Sequence, residues 1–459
     1  MENLNLKALK NKKFHFIGIG GISMSALAFI LKSNGYFVQG SDEVDGDEVQ
    51  KLKKKNIKVF IGHDENNVQG SDIAVVSSAI HEDNPEYQFA IKNGLLVIGR
   101  AELLGAVGEN YKKVIAVAGS HGKTTATAMI SEIFMLAGKK PTIHMGGVLK
   151  SIDSNYKLGN KEYFITENCE YKDNFLFVKP DISVILNVDK DHLDYFGDLK
   201  GVKSSFYKYI ENTKNGGINV VCGDDKNSKE LFGLENSVKF GFGKNNEIYA
   251  KCVREYRPGF YSFDVLFHGC SLGNIKLNVV GRHNVLNALA STFVAMVSGI
   301  DFDIIKNAIE NFSGVKRRCE FVGKVNGADV FHDYAHHPKQ IEKMIDVANS
   351  CKGERGKVIV VFEPHTYSRT KFLLKNFAKS FIGSDLVILA PVYSAREVES
   401  DGMNSKDLLL ETKKYVKISL QVDTYKQISK IIKNVATKGD VVMILGAGTI
   451  EKLSKLVVT

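Results

Sequence analysis

The chain of 459 residues contains no CxxC pair; its six cysteines, Cys169, Cys222, Cys252, Cys270, Cys319 and Cys351, are scattered singly. That spacing argues against a zinc ribbon and offers no disulfide framework, so reduced thiols, as in the cytosol, are expected. No apolar run reaches the roughly 18 residues a membrane span needs. No basic segment followed by an apolar one opens the chain either. A cytoplasmic protein is therefore expected, with no membrane partner. A block of like charge is also missing. Lysine and arginine outnumber aspartate and glutamate by 61 to 52, but the surplus is spread along the chain. It favours anionic partners. The one short cluster, Lys53-Lys54-Lys55, lacks interleaved aromatics and reads as a solvated helix face, so no nucleic acid is expected.

What is present is ordinary globular composition, 44% hydrophobic and 25% charged. The length suits about three domains. Short apolar runs alternate with helical periodicity. Phe14 to Ile17, Ile73 to Val76 and Leu96 to Ile98 read as buried strands, with Met24 to Ser33 a helix between the first two. Val114 to Val117 opens a second block, followed by a helix carrying Met129, Ile130, Ile133 and Phe134. A third block alternates Val358 to Phe362, Leu386 to Leu389 and Val441 to Leu445 with helices, the last bearing Ile428, Ile431, Ile432 and Val435. The expectation is an α/β chain of parallel sheets with helical covers. Boundaries near Gly105–Lys113 and Ser313–Arg318 divide it at 1–108, 109–315 and 316–459.

Two glycine turns carry the chemistry. Gly18-Ile19-Gly20-Gly21 follows the first strand and opens a helix, which aims backbone N–H groups at a phosphate. Asp42 lies where a ribose-binding carboxylate would be, but Ser23 replaces the third glycine of GxGxxG. Alone, this turn fits a nucleotide diphosphate, NAD or a purely structural bend. The second turn, Gly119-Ser120-His121-Gly122-Lys123-Thr124-Thr125, is a shortened P-loop between strand and helix. Its glycines let the backbone wrap phosphates, Lys123 meets their outer oxygens, and Thr124 offers a hydroxyl to Mg²⁺. Lys123 supports no core in this reading, so its loss is expected to leave thermal stability almost unchanged. Glu167 and His192 both follow apolar runs and should stand at strand ends beside that loop, as further ligands or as ordinary polar caps. Asn287 in Gly281-Arg282-His283-Asn284-Val285-Leu286-Asn287 can present an amide to an adenine edge, while His283 and Asn284 suit helix capping. Further on stand Lys316-Arg317-Arg318, Asp333-Tyr334-Ala335-His336-His337-Pro338 and Glu363-Pro364-His365-Thr366-Tyr367-Ser368-Arg369. On a strand, His336 and His337 would point apart, which disfavours a metal held by that pair. Gly446-Ala447-Gly448 reads as a structural turn.

The strings GIGG, GSHGKTT, GRHNVLNA, DYAHHP and EPHTYSRT together resemble the Mur ligases of peptidoglycan synthesis over essentially the whole chain, most closely the alanine-adding branch. The resemblance argues against NAD at the first turn. It implies a Rossmann-like N-terminal domain, a central P-loop ATPase-like domain with a parallel sheet, and a Rossmann-like C-terminal domain that closes over both. It also implies an ADP-forming ligase that joins L-alanine to the lactyl carboxylate of UDP-N-acetylmuramate through an acyl phosphate, with ATP and Mg²⁺ and as monomer or homodimer. The UDP-sugar would lie on Gly18, Gly20 and Gly21, with Ser41, Asp42, His63, Ser77, Ser78 and His365 around it. ATP would lie on Gly119 to Thr125 with His283, Asn284 and Asn287, and the metal on Thr124, Glu167 and His192. Lys123, His192, Arg318, Asp333, His336 and Arg369 would serve the reaction, with His336 or Asp333 taking the amine's proton. A recycling ligase that adds a whole tripeptide is the alternative, and a non-catalytic P-loop regulator a more distant one. Four positions depart from the family pattern: Ser120 stands for threonine, Cys169 and Lys172 for aspartates, and Glu363 for glutamine.

Overall fold

The computed structural model describes residues 4–231, 233, 236–394, 397 and 404–458. Three sheets organise the chain. The first contains β1 (Lys13–Ile17), β2 (Phe37–Asp42), β3 (Lys58–Ile61), β4 (Ile73–Val76) and β5 (Leu96–Gly99), all parallel, in the order β3-β2-β1-β4-β5. The three apolar runs become β1, β4 and β5. β2 and β3 were not evident as apolar runs because Gln39, Ser41, Asp42 and Lys58 interrupt them. The helix Ile22–Ser33 starts two residues before the expected Met24, with Gly21 as its N-cap and no side chain closing its first turn. Its N–H groups therefore remain available at that end.

The second sheet is built from β6 (Lys113–Ala118), β7 (Thr142–Leu149), β8 (Ser154–Lys157), β9 (Tyr163–Glu167), β10 (Ile182–Ile185), β11 (Ile218–Cys222), β12 (Ser237–Gly241), β13 (Ile248–Arg257), β14 (Phe260–Phe267) and β15 (Cys270–Lys276). Its order is β15-β14-β13-β12-β11-β10-β6-β9-β7-β8. β6 runs parallel to both its neighbours, β10 and β9. The third sheet has β16 (Glu320–Val325), β17 (Ala328–Asp333), β18 (Val358–Phe362), β19 (Leu386–Leu389), β20 (Ser419–Gln421) and β21 (Val441–Leu445), ordered β16-β17-β21-β18-β19-β20. Only β16 is antiparallel there.

These elements form two compact units, Met1–Cys252 with Phe263–Ile275 and Val285–Ser313, and Val253–Ser262 with Lys276–Asn284 and Gly314–Thr459. The first sheet and most of the second thus share a unit, with the end of β13 and the start of β14 assigned to the other, and the last change of unit falls between Ser313 and Gly314. A continuous core in the first unit joins Phe14, Phe16 and Leu27 to Phe164, Phe175 and Tyr209. In the second unit, apolar residues cover both faces of the third sheet, Val360 and Phe362 on one and Ile359 and Val361 on the other. Burial on both faces is why these strands read as unbroken apolar runs.

Candidate active site

In an open parallel sheet, ligands gather at the carboxyl ends of the strands where the strand order reverses. β6 sits at such a point, and the second glycine turn leaves it there. Gly119 and Gly122 have φ of +134° and +85°, a region costly for any residue with a Cβ. A Cβ on Gly122 would also lie 2.9 Å from Asn287 Oδ1, so Asn287 stands directly against the loop. Asn187, just beyond β10, shapes the turn. Its carbonyl accepts from the Ser120 N–H at 3.1 Å and its Oδ1 from the His121 N–H at 2.8 Å. Asn187 was not singled out in the sequence; its place directly after an apolar strand is the signal that could have found it.

Lys123 begins the helix Lys123–Leu136 and turns back into the loop. Its ammonium donates to Glu170 Oε2 at 2.8 Å, to Oε1 at 3.2 Å and to the Gly119 carbonyl at 2.5 Å. Burial alone would lower its pKa, but Glu170, with Cys169 and Glu167 adding to it, outweighs burial and holds it above the usual lysine value. Thr124 Oγ1 donates to Glu167 Oε1 at 2.9 Å, and Glu167 Oε2 accepts from the Gly146 N–H at 2.8 Å. His192 adopts φ of +52° and its ring lies tilted against Tyr171, ring centroids 4.7 Å apart. Among the described residues, Glu170, Asp191 and His192 each bring a ligand atom within 4.8 Å of the others. Together with Thr124 and Glu167 this donor set is dominated by oxygen, which fits a hard divalent cation such as Mg²⁺. Cys169 lies beside Lys123 with its thiol pushed up by burial, so it cannot replace the charge of an aspartate.

Helix His283–Val297 carries Asn287, but its first two side chains are used on their own turn. Asn284 Nδ2 donates to the Val280 carbonyl at 2.7 Å, and the His283 ring lies 2.5 Å from where a Gly281 Cβ would be. Asn284 is thereby tied to the segment before its helix, and the His283 ring packs against Gly281.

The first glycine turn leaves β1 between β2 and β4. The N–H groups of Gly18 and Ile19 donate to the Ser41 carbonyl at 2.9 and 2.8 Å. Asp42 is held by the turn itself: its Oδ2 accepts from the Gly20 N–H at 2.8 Å and its Oδ1 from the Val44 N–H at 3.2 Å. Ser41 is fully buried and donates to Glu86, which also accepts from Asn67 Nδ2 at 2.7 Å and meets His15 and His63 at 3.3 Å each. Burial pushes the Glu86 carboxyl up, yet the bonds from His15, His63, Ser41 and Asn67 win and hold it far below the carboxylate range. The Ser41 hydroxyl therefore belongs to a buried network. His63 shares that network. Ser77 and Ser78 follow β4, whose last residue Val76 pairs with Ile17, so they stand at the same sheet edge as the turn.

Ser23, in the place of the missing glycine, connects the two turns. Its Oγ lies 2.8 Å from His144 Nε2 and accepts from Arg100 at 3.1 Å, while His144 Nδ1 lies 3.0 Å from Thr166 Oγ1, next to Glu167. Burial and the Arg100 charge lower the His144 pKa to about 3, so it stays neutral. Sequence carried no signal for Arg100 or His144.

In the second unit, β17, β21 and β18 end side by side. Asp333 closes β17 with both oxygens occupied, accepting from the N–H groups of Cys319 and Ala335 at 2.7 Å each. Burial raises its pKa despite the nearby Arg318. His336 Nδ1 lies 2.9 Å from the Tyr334 carbonyl, which can only accept, so Nδ1 carries the proton and Nε2 keeps a lone pair. Burial lowers the His336 pKa to about 4. The His336 and His365 rings stand 6.0 Å apart, and Arg369 lies 3.4 Å from His365. The guanidinium of Arg318 stands over the Tyr334 ring at 5.7 Å. The adjacent histidines are not on a strand: His337 is the N-cap of helix Pro338–Cys351.

Three family models match consecutive parts of the chain: "Mur ligase family, catalytic domain" over residues 13–112, "Mur ligase middle domain" over 117–295 and "Mur ligase, glutamate ligase domain" over 317–448. The UDP-N-acetylmuramate–L-alanine ligase of Caldanaerobacter subterraneus subsp. tengcongensis is 42% identical over 97% of both chains. That of Caldicellulosiruptor saccharolyticus is 43% identical, covering 97% of this chain and 98% of the relative. Among solved structures, the UDP-N-acetylmuramate–alanine ligase of Thermotoga maritima superposes with a TM-score of 0.82 at 30% identity, over 98% of each chain.

Proposed function

The chain belongs to the Mur ligase family, and we propose that it is the ATP-dependent, ADP-forming enzyme that joins L-alanine to UDP-N-acetylmuramate in peptidoglycan synthesis. The observation that carries this reading is full-length identity of about 40% to L-alanine ligases, in a chain whose P-loop keeps Lys123 and Thr124 beside Glu167 and Glu170.

Amide formation from a carboxylate needs an activated acyl group, and phosphorylation of the lactyl carboxylate by ATP supplies it as an acyl phosphate. The obstacle is repulsion between that carboxylate and the triphosphate. Lys123 offsets it as a cation that stays charged at any working pH. Arg318 and Arg369 offer planar forks suited to carboxylate or phosphoryl oxygens. Mg²⁺, held by Thr124, Glu167 and His192 with Glu170 and Asp191 close by, would supply further neutralisation. Asn287 would bind the adenine side of ATP, and the first glycine turn, with Ser77 and Ser78, the UDP-sugar. The amine must lose a proton before or during attack. His336 suits that task better than Asp333, because its Nε2 lone pair is uncommitted to Tyr334, whereas both Asp333 oxygens already accept backbone bonds.

The test is phosphate release by the purified protein given UDP-N-acetylmuramate, ATP and Mg²⁺. Fast release with L-alanine, slower with glycine or L-serine, is expected, since one methyl or hydroxyl is typically worth about 10–200-fold. Faster turnover with L-Ala-γ-D-Glu-diaminopimelate than with L-alanine would reassign the protein to tripeptide recycling.

A further inference from the structure

A cavity of about 250 Å³ opens in the first unit, at the opposite end of its strands from both glycine turns. Its lining includes Asn34, Tyr36, Tyr111 and Lys161, which stand just before the amino ends of β2, β6 and β9 or at the carboxyl end of helix Ile22–Ser33. That helix of 12 residues carries Gly21 at its other end, so about 18 Å separates the cavity from the first turn. The cavity is distinct from the candidate active site.

Three lysines, Lys7, Lys10 and Lys161, converge on it, and no carboxylate is among the lining residues. Lys10 has a structural task, donating to the Asn34 carbonyl at 2.6 Å, where the helix ends with unsatisfied carbonyls. Lys7 and Lys161 have no such bond among the described residues. Lys161 instead stands over the Tyr111 ring at 5.4 Å, as Lys10 does over Tyr36 at 5.0 Å. Burial, then the charges of Lys10 and Lys7, depress the Lys161 pKa. The wall behind them is apolar, formed by Leu6, Leu31 and Val107.

We propose that this cavity binds a small organic phosphate monoester bearing a ring, with the phosphate dianion among Lys7, Lys10 and Lys161 and the ring on the apolar wall. A dianion offsets lysine charges that otherwise repel one another, and lysine binds phosphate as a point charge without the fixed fork that arginine imposes. The apolar wall favours a ring-bearing ester over inorganic phosphate, because burying it removes apolar surface from water.

Phenyl phosphate is the probe, titrated calorimetrically into the full-length protein saturated with ADP and UDP-N-acetylmuramate. Binding that is at least tenfold weaker in Lys161→Met and in Lys7→Met, and at least tenfold weaker for inorganic phosphate, is expected. Methionine keeps the side-chain stem, so both variants should melt no lower than the parent; Lys161→Met should melt slightly higher, since repulsion is relieved. Equal affinity in parent and variants overturns the site, as does loss of binding when ADP and the UDP-sugar are present. Equal affinity for phenyl phosphate and inorganic phosphate overturns the ring-bearing ligand.

Discussion

Lys123 and Glu170, 47 residues apart in the chain, form an ion pair at 2.8 Å in which the carboxylate is almost wholly buried. The P-loop lysine is therefore part of the fold's electrostatics as well as of its phosphate site. The expectation that Lys123 could be removed without touching stability does not survive this geometry. Lys123→Ala strands a buried carboxylate and should cost roughly 3 kcal/mol, the scale for breaking a buried pair from one side. Lys123→Ala with Glu170→Gln should regain most of that loss while ligation stays absent. Melting curves of the two variants and the parent, without nucleotide, check this; equal melting of Lys123→Ala and parent contradicts it.

Glu86 is expected to be the most pH-sensitive group of the N-terminal sheet. Its folded pKa lies far below the unfolded one, so its contribution is present above about pH 4.5 and is lost as pH falls. Glu86→Gln should destabilise the protein by roughly 3 kcal/mol at pH 7, because His15 and His63 lose their buried partner. The difference from the parent should shrink below pH 4. Urea titrations at pH 7 and pH 3.5 measure both.

Glu363 shows the opposite sign. It is buried, its Oε1 accepts from Tyr425, and burial raises its pKa despite the hydrogen bonds from Tyr425 and from the Ile450 and Thr449 N–H groups. Stability from its protonated form is present at low pH and lost as pH rises through the raised value. Glu363→Gln, which restores the residue usual in the family, should therefore raise the melting temperature more at pH 8 than at pH 5. A larger gain at pH 5 would refute this account.

Gly20→Ala tests the first turn. A Cβ there would meet Val49 Cγ2 at 2.8 Å and Asp42 Oδ2 at 2.9 Å, so it strains the turn before any ligand arrives. Overpacking of this kind costs about 1–3 kcal/mol. The KM for UDP-N-acetylmuramate should rise several-fold more than that for ATP, because the P-loop shares no residue with the turn. Equal changes in both constants would show a general loss of fold.

The elements that position the site were legible because their signals are local. Fully buried parallel strands such as β18, β19 and β21 are unbroken apolar runs, and the two glycine turns sit where a strand's apolar run stops and helical spacing begins. Lys123, Thr124, Glu167 and His192 could be named for the same reason: each is adjacent to such a boundary. What the fold alone decided was which side chains meet. Ser23 touches His144, 121 residues on, and Ser41 reaches Glu86, 45 residues on. Asp42, Asp333 and Asn284, read as ligands or bases, turn to backbone groups of their own turns or of a neighbouring segment. Periodicity records only which face of an element is buried, whereas a polar side chain's partner depends on sheet order and crossover. A buried carboxylate or amide then takes the donors or acceptors those contacts bring, since leaving it unpaired costs more than any local preference contributes.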